Sequence, residues 1–323
     1  MIKDLIRKYK VLLLILMPVY VGILLISITP SAYSVTLPGG VTLIDSEISI
    51  PSDVSNEFYS VYVMSVDRPT ILQVLLSSLS DKNHIEKVSH KPSFFESVDS
   101  GTLFKELSYT NALITAYEAA AMIDDSVSIA YDTLGYVVTF SNSHLHIKDI
   151  ITHVDGIDVF SLEAGLIAYL KDNDTVIFTI LRQGEVKDIT LKKVDGRFGI
   201  SLSLYRKIKT TSPIYQTSFK MHTTFGPSGG LLQALSIYSS LLNIKYPLKI
   251  GGTGTIEADQ SIGMIGGVTQ KIYTVDGLVD IFFVPEANYN EALKAYEKLD
   301  KPSFTLHQVG DFNDALSILN SYR

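Results

Sequence analysis

Ser228 stands in the run Gly226-Pro227-Ser228-Gly229-Gly230, directly ahead of the apolar helical stretch Leu231 to Leu242. A serine on a tight glycine turn at a helix start offers its hydroxyl to a substrate. The unpaired NH groups of the helix's first turn face the space where an oxyanion would form. Gly226, Pro227 and Gly229 shape that turn and are candidates for the oxyanion pocket. An alcohol is a poor nucleophile at neutral pH and needs a base. Lys271, 43 positions later among glycines and apolar residues, is the first candidate, because burial there would disfavour its charged form.

The same turn fits G-x-S-x-G, in which an acid and a histidine follow the serine. The only histidine after Ser228 is His307, with Asp276 and Asp280 as possible acids. His307 falls in the polar alternation 303–309, which reads as an ordinary strand. A turn-and-surface-helix reading, in which the glycines only bend the chain and Lys271 is solvated, is the structural alternative to both.

The elements that must position these residues alternate along the last 125 or so residues. Strands are expected at 200–204, 219–224, 248–256, 262–265, 281–284 and 305–309, with helices after Ser228, from Thr269, over 287–299 and over 311–322. Residues 108–123 read as a helix, and 127–131, 136–140, 149–154, 175–182 and 186–191 as strands around a helix at 161–170. Upstream, Val41 to Ile44 and Tyr59 to Val66 read as strands and Pro69 to Leu79 as an amphipathic helix. Residues 81–101 read as an exposed connection or hairpin whose His84 and His90 are solvated.

At the N-terminus, Lys3, Arg7, Lys8 and Lys10 precede the uncharged run Val11 to Ile28. That length nearly spans a hydrocarbon core of about 30 Å and is longer than the usual signal-peptide core. It therefore predicts a retained single-pass anchor in the cell membrane, with the basic end cytoplasmic and the rest extracellular. A cleaved signal peptide, processed near Ser31-Ala32-Tyr33-Ser34, is the alternative. Removing the tail's net +3 from the chain's −7 leaves −10 outside, which argues against a nucleic-acid partner. The absence of cysteine excludes disulfide frameworks and thiolate zinc sites, and His144, His146 and His153 lack a carboxylate pattern, so no metal is expected.

Two resemblances sharpen these expectations. Leu134-Gly135-Tyr136-Val137-Val138, Ile147-Lys148-Asp149-Ile150-Ile151, Val154-Asp155-Gly156 and the turn Arg182-Gln183-Gly184 resemble a bacterial PDZ domain, with Lys148 where such domains usually place a glycine. The resemblance implies peptide capture by strand addition, with Leu134, Gly135, Tyr136, Val137 and Val138 as carboxylate loop and edge strand.

Gly226-Pro227-Ser228-Gly229-Gly230, Gly252-Thr253-Gly254-Thr255-Ile256, Ile262-Gly263-Met264-Ile265-Gly266-Gly267, Gln270-Lys271 and Asp280-Ile281-Phe282-Phe283-Val284-Pro285 together are similar to the proteolytic domain of the Lon family. With the anchor and the PDZ-like segment, the order of parts resembles the membrane-anchored Lon-like peptidases of Gram-positive bacteria. This implies a serine endopeptidase with Ser228 as nucleophile, Lys271 as base and Thr253 orienting the lysine, with ring-like homo-oligomers possible. No G-x-x-x-x-G-K-[ST] loop is present, so neither nucleotide nor any other cofactor is expected.

The expected architecture is α+β and multidomain: a transmembrane anchor (1–30), a small β-rich juxtamembrane module (31–107), a PDZ-like domain (108–195) and an α/β Lon-type domain (196–323). The expected partners are the membrane and a peptide or protein substrate. A catalytically silent, membrane-tethered PDZ scaffold would share this fold.

Overall fold

The computed structural model describes residues 2–44, 48–88, 94–141, 143–217 and 226–323. The strand expected at 219–224 lies outside them. The chain opens with α1 (Ile2–Ile28), β1 (Tyr33–Leu43), β2 (Ile48–Ser49), β3 (Glu57–Asp67), α2 (Ile71–Ser77), β4 (His84–Lys87) and the long α3 (Phe94–Ala121). Its middle holds β5 (Ser128–Ser141), β6 (Ile150–Val154), β7 (Ile157–Asp158), α4 (Gly165–Asp172), β8 (Thr175–Arg182), β9 (Glu185–Lys192), β10 (Ile200–Ser212) and β11 (Gln216–Thr217). It closes with α5 (Gly230–Leu241), β12 (Lys249–Gly252), α6 (Val268–Val275), β13 (Ile281–Pro285), α7 (Tyr289–Tyr296), β14 (Thr305–Val309) and α8 (Phe312–Asn320). The protein is thus mixed α/β. In α1, Tyr9–Ile28 has a mean hydropathy of 2.8 and no buried share, so it is long and apolar enough to cross a membrane or to serve as a signal sequence.

One six-stranded sheet runs β14-β13-β12-β3-β1-β4. Its β12, β13 and β14 are parallel, β3 joins β12 in parallel, and β1 and β4 add antiparallel. Strand β13 is buried on both faces and so reads as an unbroken apolar run. Ile281 and Phe283 pack with Leu231 and Leu235 of α5 and Phe312 of α8. Phe282 and Val284 pack on the other face with Val268 and Ile272 of α6 and Ala292 of α7. Helices therefore cover both faces, α5 on one and α6 on the other.

The second sheet, β10-β5-β6-β8-β9, is antiparallel around Val138, Ile151, Phe178 and Leu166. Its loop before β6 is pinned by Asp149, whose carboxylate accepts from Arg182 Nε (2.7 Å), Arg182 Nη2 (2.6 Å) and the His146 amide (2.7 Å). Lys148 itself takes the left-handed backbone that a glycine would favour, with φ 76°.

Three expectations about organisation are corrected. The module expected over 31–107 is not separate, because its β1, β3 and β4 are strands of the same sheet as β12–β14. The seam expected near residue 196 is crossed by pairing, since β10 adds to β5 over most of its length. Residues 81–101 are not all connection: they contain β4 and the start of α3, which begins 14 residues ahead of the expected Ser108. Leu103 and Leu107 pack on Val137 of the second sheet, whereas Ala112, Leu113 and Tyr117 pack with α5, so α3 couples the two sheets and tertiary burial sustains a helix that local propensity does not signal.

Candidate active site

Ser228 lies at the entry to α5, whose N-cap is Gly229. Gly226, at φ 104°, makes the turn. Three elements hold this turn. The Ser228 carbonyl accepts from the Gly254 amide at 2.8 Å and from Thr253 Oγ1 at 3.2 Å, and Ser108 Oγ of α3 donates to the Pro227 carbonyl at 3.0 Å. Thr253 follows β12 directly, and its amide is bonded to the Phe283 carbonyl of β13 at 2.9 Å. The serine is thereby placed beyond the carboxyl ends of parallel strands, where α/β sheets characteristically leave a crevice.

Lys271 reaches the same point from the opposite face. It sits in the first turns of α6, whose N-cap Gly267 adopts φ 67° with Val63 of β3 packed 3.0 Å from where a Cβ would lie. A side chain there would be strained and crowded, which accounts for glycine. Lys271 is 2% exposed, and its Nζ lies 2.9 Å from Ser228 Oγ and 2.8 Å from Thr253 Oγ1. Burial alone pushes its pKa down from the ordinary 10.5 to about 7.

The hydroxyl geometry then sets the direction of each proton. Thr253 donates its hydrogen to the Ser228 carbonyl, which leaves its oxygen as an acceptor for Nζ. As a cation Lys271 donates to both hydroxyls; once neutral, it keeps a hydrogen for Thr253 and has a lone pair free to accept from Ser228 Oγ at the same 2.9 Å. Among the described residues, the amides of Ser228 and Gly229 have no hydrogen-bond partner, and they stand at the positive end of α5.

The site opens into a cavity of about 500 Å³ between Tyr62 and Val63 of β3, Pro227, Thr255 and Met264. A second cavity of about 580 Å³ shares Pro227, Thr255 and Met264 and extends to Leu202, Ser203 and Leu204 of β10. A third, of about 1190 Å³, shares Leu202 and lies between Ile167 and Leu170 of α4 and the segment Phe198-Gly199-Ile200 that leads into β10. Neighbouring cavities thus share lining residues, and β10, which lines the second and third, is an outer strand of its sheet.

The structure brings together Ser228, Lys271, Thr253, Gly226, Pro227 and Gly229. It does not make Leu134 to Val138 a peptide-binding edge. They lie inside β5, where Tyr136 and Val137 pair with Leu204 and Ser203 of β10 on one side and with Ile151 and Ile150 of β6 on the other. Gly135 is required instead by the Ile151 carbonyl, which packs where its Cβ would sit. The outer strands of this sheet are β9 and β10, and β10, which lines the cavities, follows Phe198-Gly199-Ile200 with Gly199 at φ 66°.

The histidine arrangement does not assemble. His307 Nε2 pairs with Tyr322 Oη at 3.1 Å, Asp276 accepts from Ser303, and Asp280 accepts from the Lys249 amide. Among the described residues, no group of three His, Asp or Glu could hold a metal ion. A comparison with protein-family models and with curated proteins finds no match for this chain.

Proposed function

We propose that this chain is a membrane-anchored, ATP-independent serine endopeptidase that uses Ser228 and Lys271 as a Ser-Lys pair and acts on extracellular peptides or exposed protein segments. The observation that carries this reading is a buried lysine, free of any carboxylate partner in its hydrogen bonds, held 2.9 Å from a serine hydroxyl at a helix start.

Ser228 Oγ attacks the substrate carbonyl as its proton passes to Nζ of Lys271. The oxyanion is received by the Ser228 and Gly229 amides, and collapse returns the proton from Lys271 to the leaving amine, leaving an ester on Ser228. Water then gives up a proton to Lys271 and attacks the ester, releasing the acid and restoring the serine. Thr253 positions the amine throughout.

The PDZ-like and Lon-like character of the two sheets belongs to the same proposal. In it a substrate adds as a strand to the free edge of β10, with its tail in the groove beneath α4, and continues toward Ser228. The size of that groove favours a second reading, a tethered scaffold that binds peptide tails without cutting them. Full-length protein in lipid nanodiscs, incubated with a quenched fluorescent peptide library, separates the two. Cleavage that Ser228→Ala abolishes supports the peptidase, whereas peptide binding with no cleavage supports the scaffold.

A further inference from the structure

Helix α2 carries an apolar stripe on its outer side. Leu72, Leu75 and Leu76 recur at the spacing of one helical face and Leu79 follows in the turn just past the helix end, yet Leu75 is 53%, Leu76 58% and Leu79 82% exposed. The helix has no charged residue and no fully buried one. A core-facing helix of this composition would bury its stripe; this one turns it outward.

The start of α2 is bonded to the end of α1. The Ile71 amide donates to the Thr29 carbonyl at 3.0 Å, the Ser31 amide donates to the Pro69 carbonyl at 2.8 Å, and Pro30 and Thr70 form a bridge. Thr70 and Gln73 close a capping box that fixes the helix start. The exposed leucines therefore begin where the apolar run of α1 ends, and Ile28 at that end is itself exposed. When α1 spans a bilayer, this level is the headgroup and upper acyl region, the environment that suits a short apolar helix face.

We infer that α2 lies in the interface of the bilayer that α1 crosses and holds the serine cavity against the membrane, so that the favoured substrates are polypeptide segments just leaving that bilayer. The substrate part rests on the proposed peptidase reading. The distance follows from the chain. Ser65 of β3 lines the serine cavity and Ile71 opens α2 six residues later, and six residues span at most about 20 Å. A segment anchored in the same leaflet is thus within reach, while a freely diffusing peptide gains nothing from α2.

The chain contains no cysteine, so Leu76→Cys and, as a reference, the exposed Lys298→Cys can each carry one nitrobenzoxadiazole label. In vesicles of phosphatidylcholine and phosphatidylglycerol, the label at position 76 is expected to emit at shorter wavelength and to be quenched by lipid spin-labelled near the headgroup, with the label at 298 unaffected. A water-like spectrum at position 76 overturns the inference. In the same vesicles, a chain with Leu75→Ser, Leu76→Ser and Leu79→Ser is expected to lose tenfold or more in cleavage of a lipid-anchored peptide and to cleave the same peptide in solution as before. Equal loss on both peptides, or loss on neither, overturns the substrate part. If the unaltered chain cleaves neither peptide, the peptidase reading fails while the fluorescence still decides where α2 lies.

Discussion

Two sequestered cations, Arg182 and Lys271, serve opposite ends. Arg182 is 19% exposed at its side chain and lies against a carboxylate, Asp149, which is 2% exposed; the hydrogen bonds between them push the arginine pKa further up. Lys271 has only hydroxyl partners, and its burial drives the pKa down to about 7. A half-buried arginine given a matching anion stays charged and fixes a loop, whereas burial of a lysine among hydroxyls disfavours its charged form.

The largest expected effect comes from removing that amine's ability to lose its proton. Lys271→Arg keeps the charge but cannot deprotonate, and Lys271→Met has no basic group. Both are expected to lower kcat for peptide cleavage by about 10³-fold or more, as Ser228→Ala does, in a continuous fluorescence assay. Thr253→Val, which removes the acceptor that orients the lysine, is expected to lower kcat by about 10 to 100-fold with little change in KM, because it leaves both reacting groups in place.

Breaking the structural pair acts on folding instead. Asp149→Asn leaves Arg182 without its counter-charge, and urea unfolding is expected to show a loss of about 2–3 kcal/mol, with activity per folded molecule retained. The smallest effect is a slope. The folded pKa of Lys271 lies below its unfolded value, so from about pH 7 to 10.5 the unfolded chain binds a proton that the folded chain does not. The cost of burying the lysine is fully present below pH 7 and fades as pH rises, by up to about 1.4 kcal/mol per unit. Between pH 7.5 and 9 the stability of the native sequence should therefore rise relative to that of Lys271→Met.

The grouping of Ser228, Thr253 and Lys271 was more legible in the sequence than the scaffold. Glycines around Ser228, the apolar run that follows it and the setting of Lys271 are local signals, and they lie on the elements whose ends meet. Tyr62, Val63 and Ser65 line the same cavity but could not be found this way, because β3 reaches it by parallel pairing with β12, about 190 positions away, a contact that no local periodicity encodes. Ile262 to Ile265 has the apolar pattern of a strand but forms none. The side-chain amide of Asn288 bonds both the NH and the carbonyl of Ile265, supplying partners that a neighbouring strand would have given. The PDZ resemblance puts peptide capture on Leu134 to Val138 through a local run of residues, whereas a strand's position at an edge or in the interior is a property of the whole sheet.

The central claim is that Lys271 loses its proton near physiological pH, far below a solvated lysine. Titration of its ¹³C-labelled side chain by NMR in the full chain, assigned by difference from Lys271→Met, tests it directly. A midpoint near 7 is the expected result; a midpoint near 10, as for a solvated lysine, would contradict it and leave Ser228 without a base.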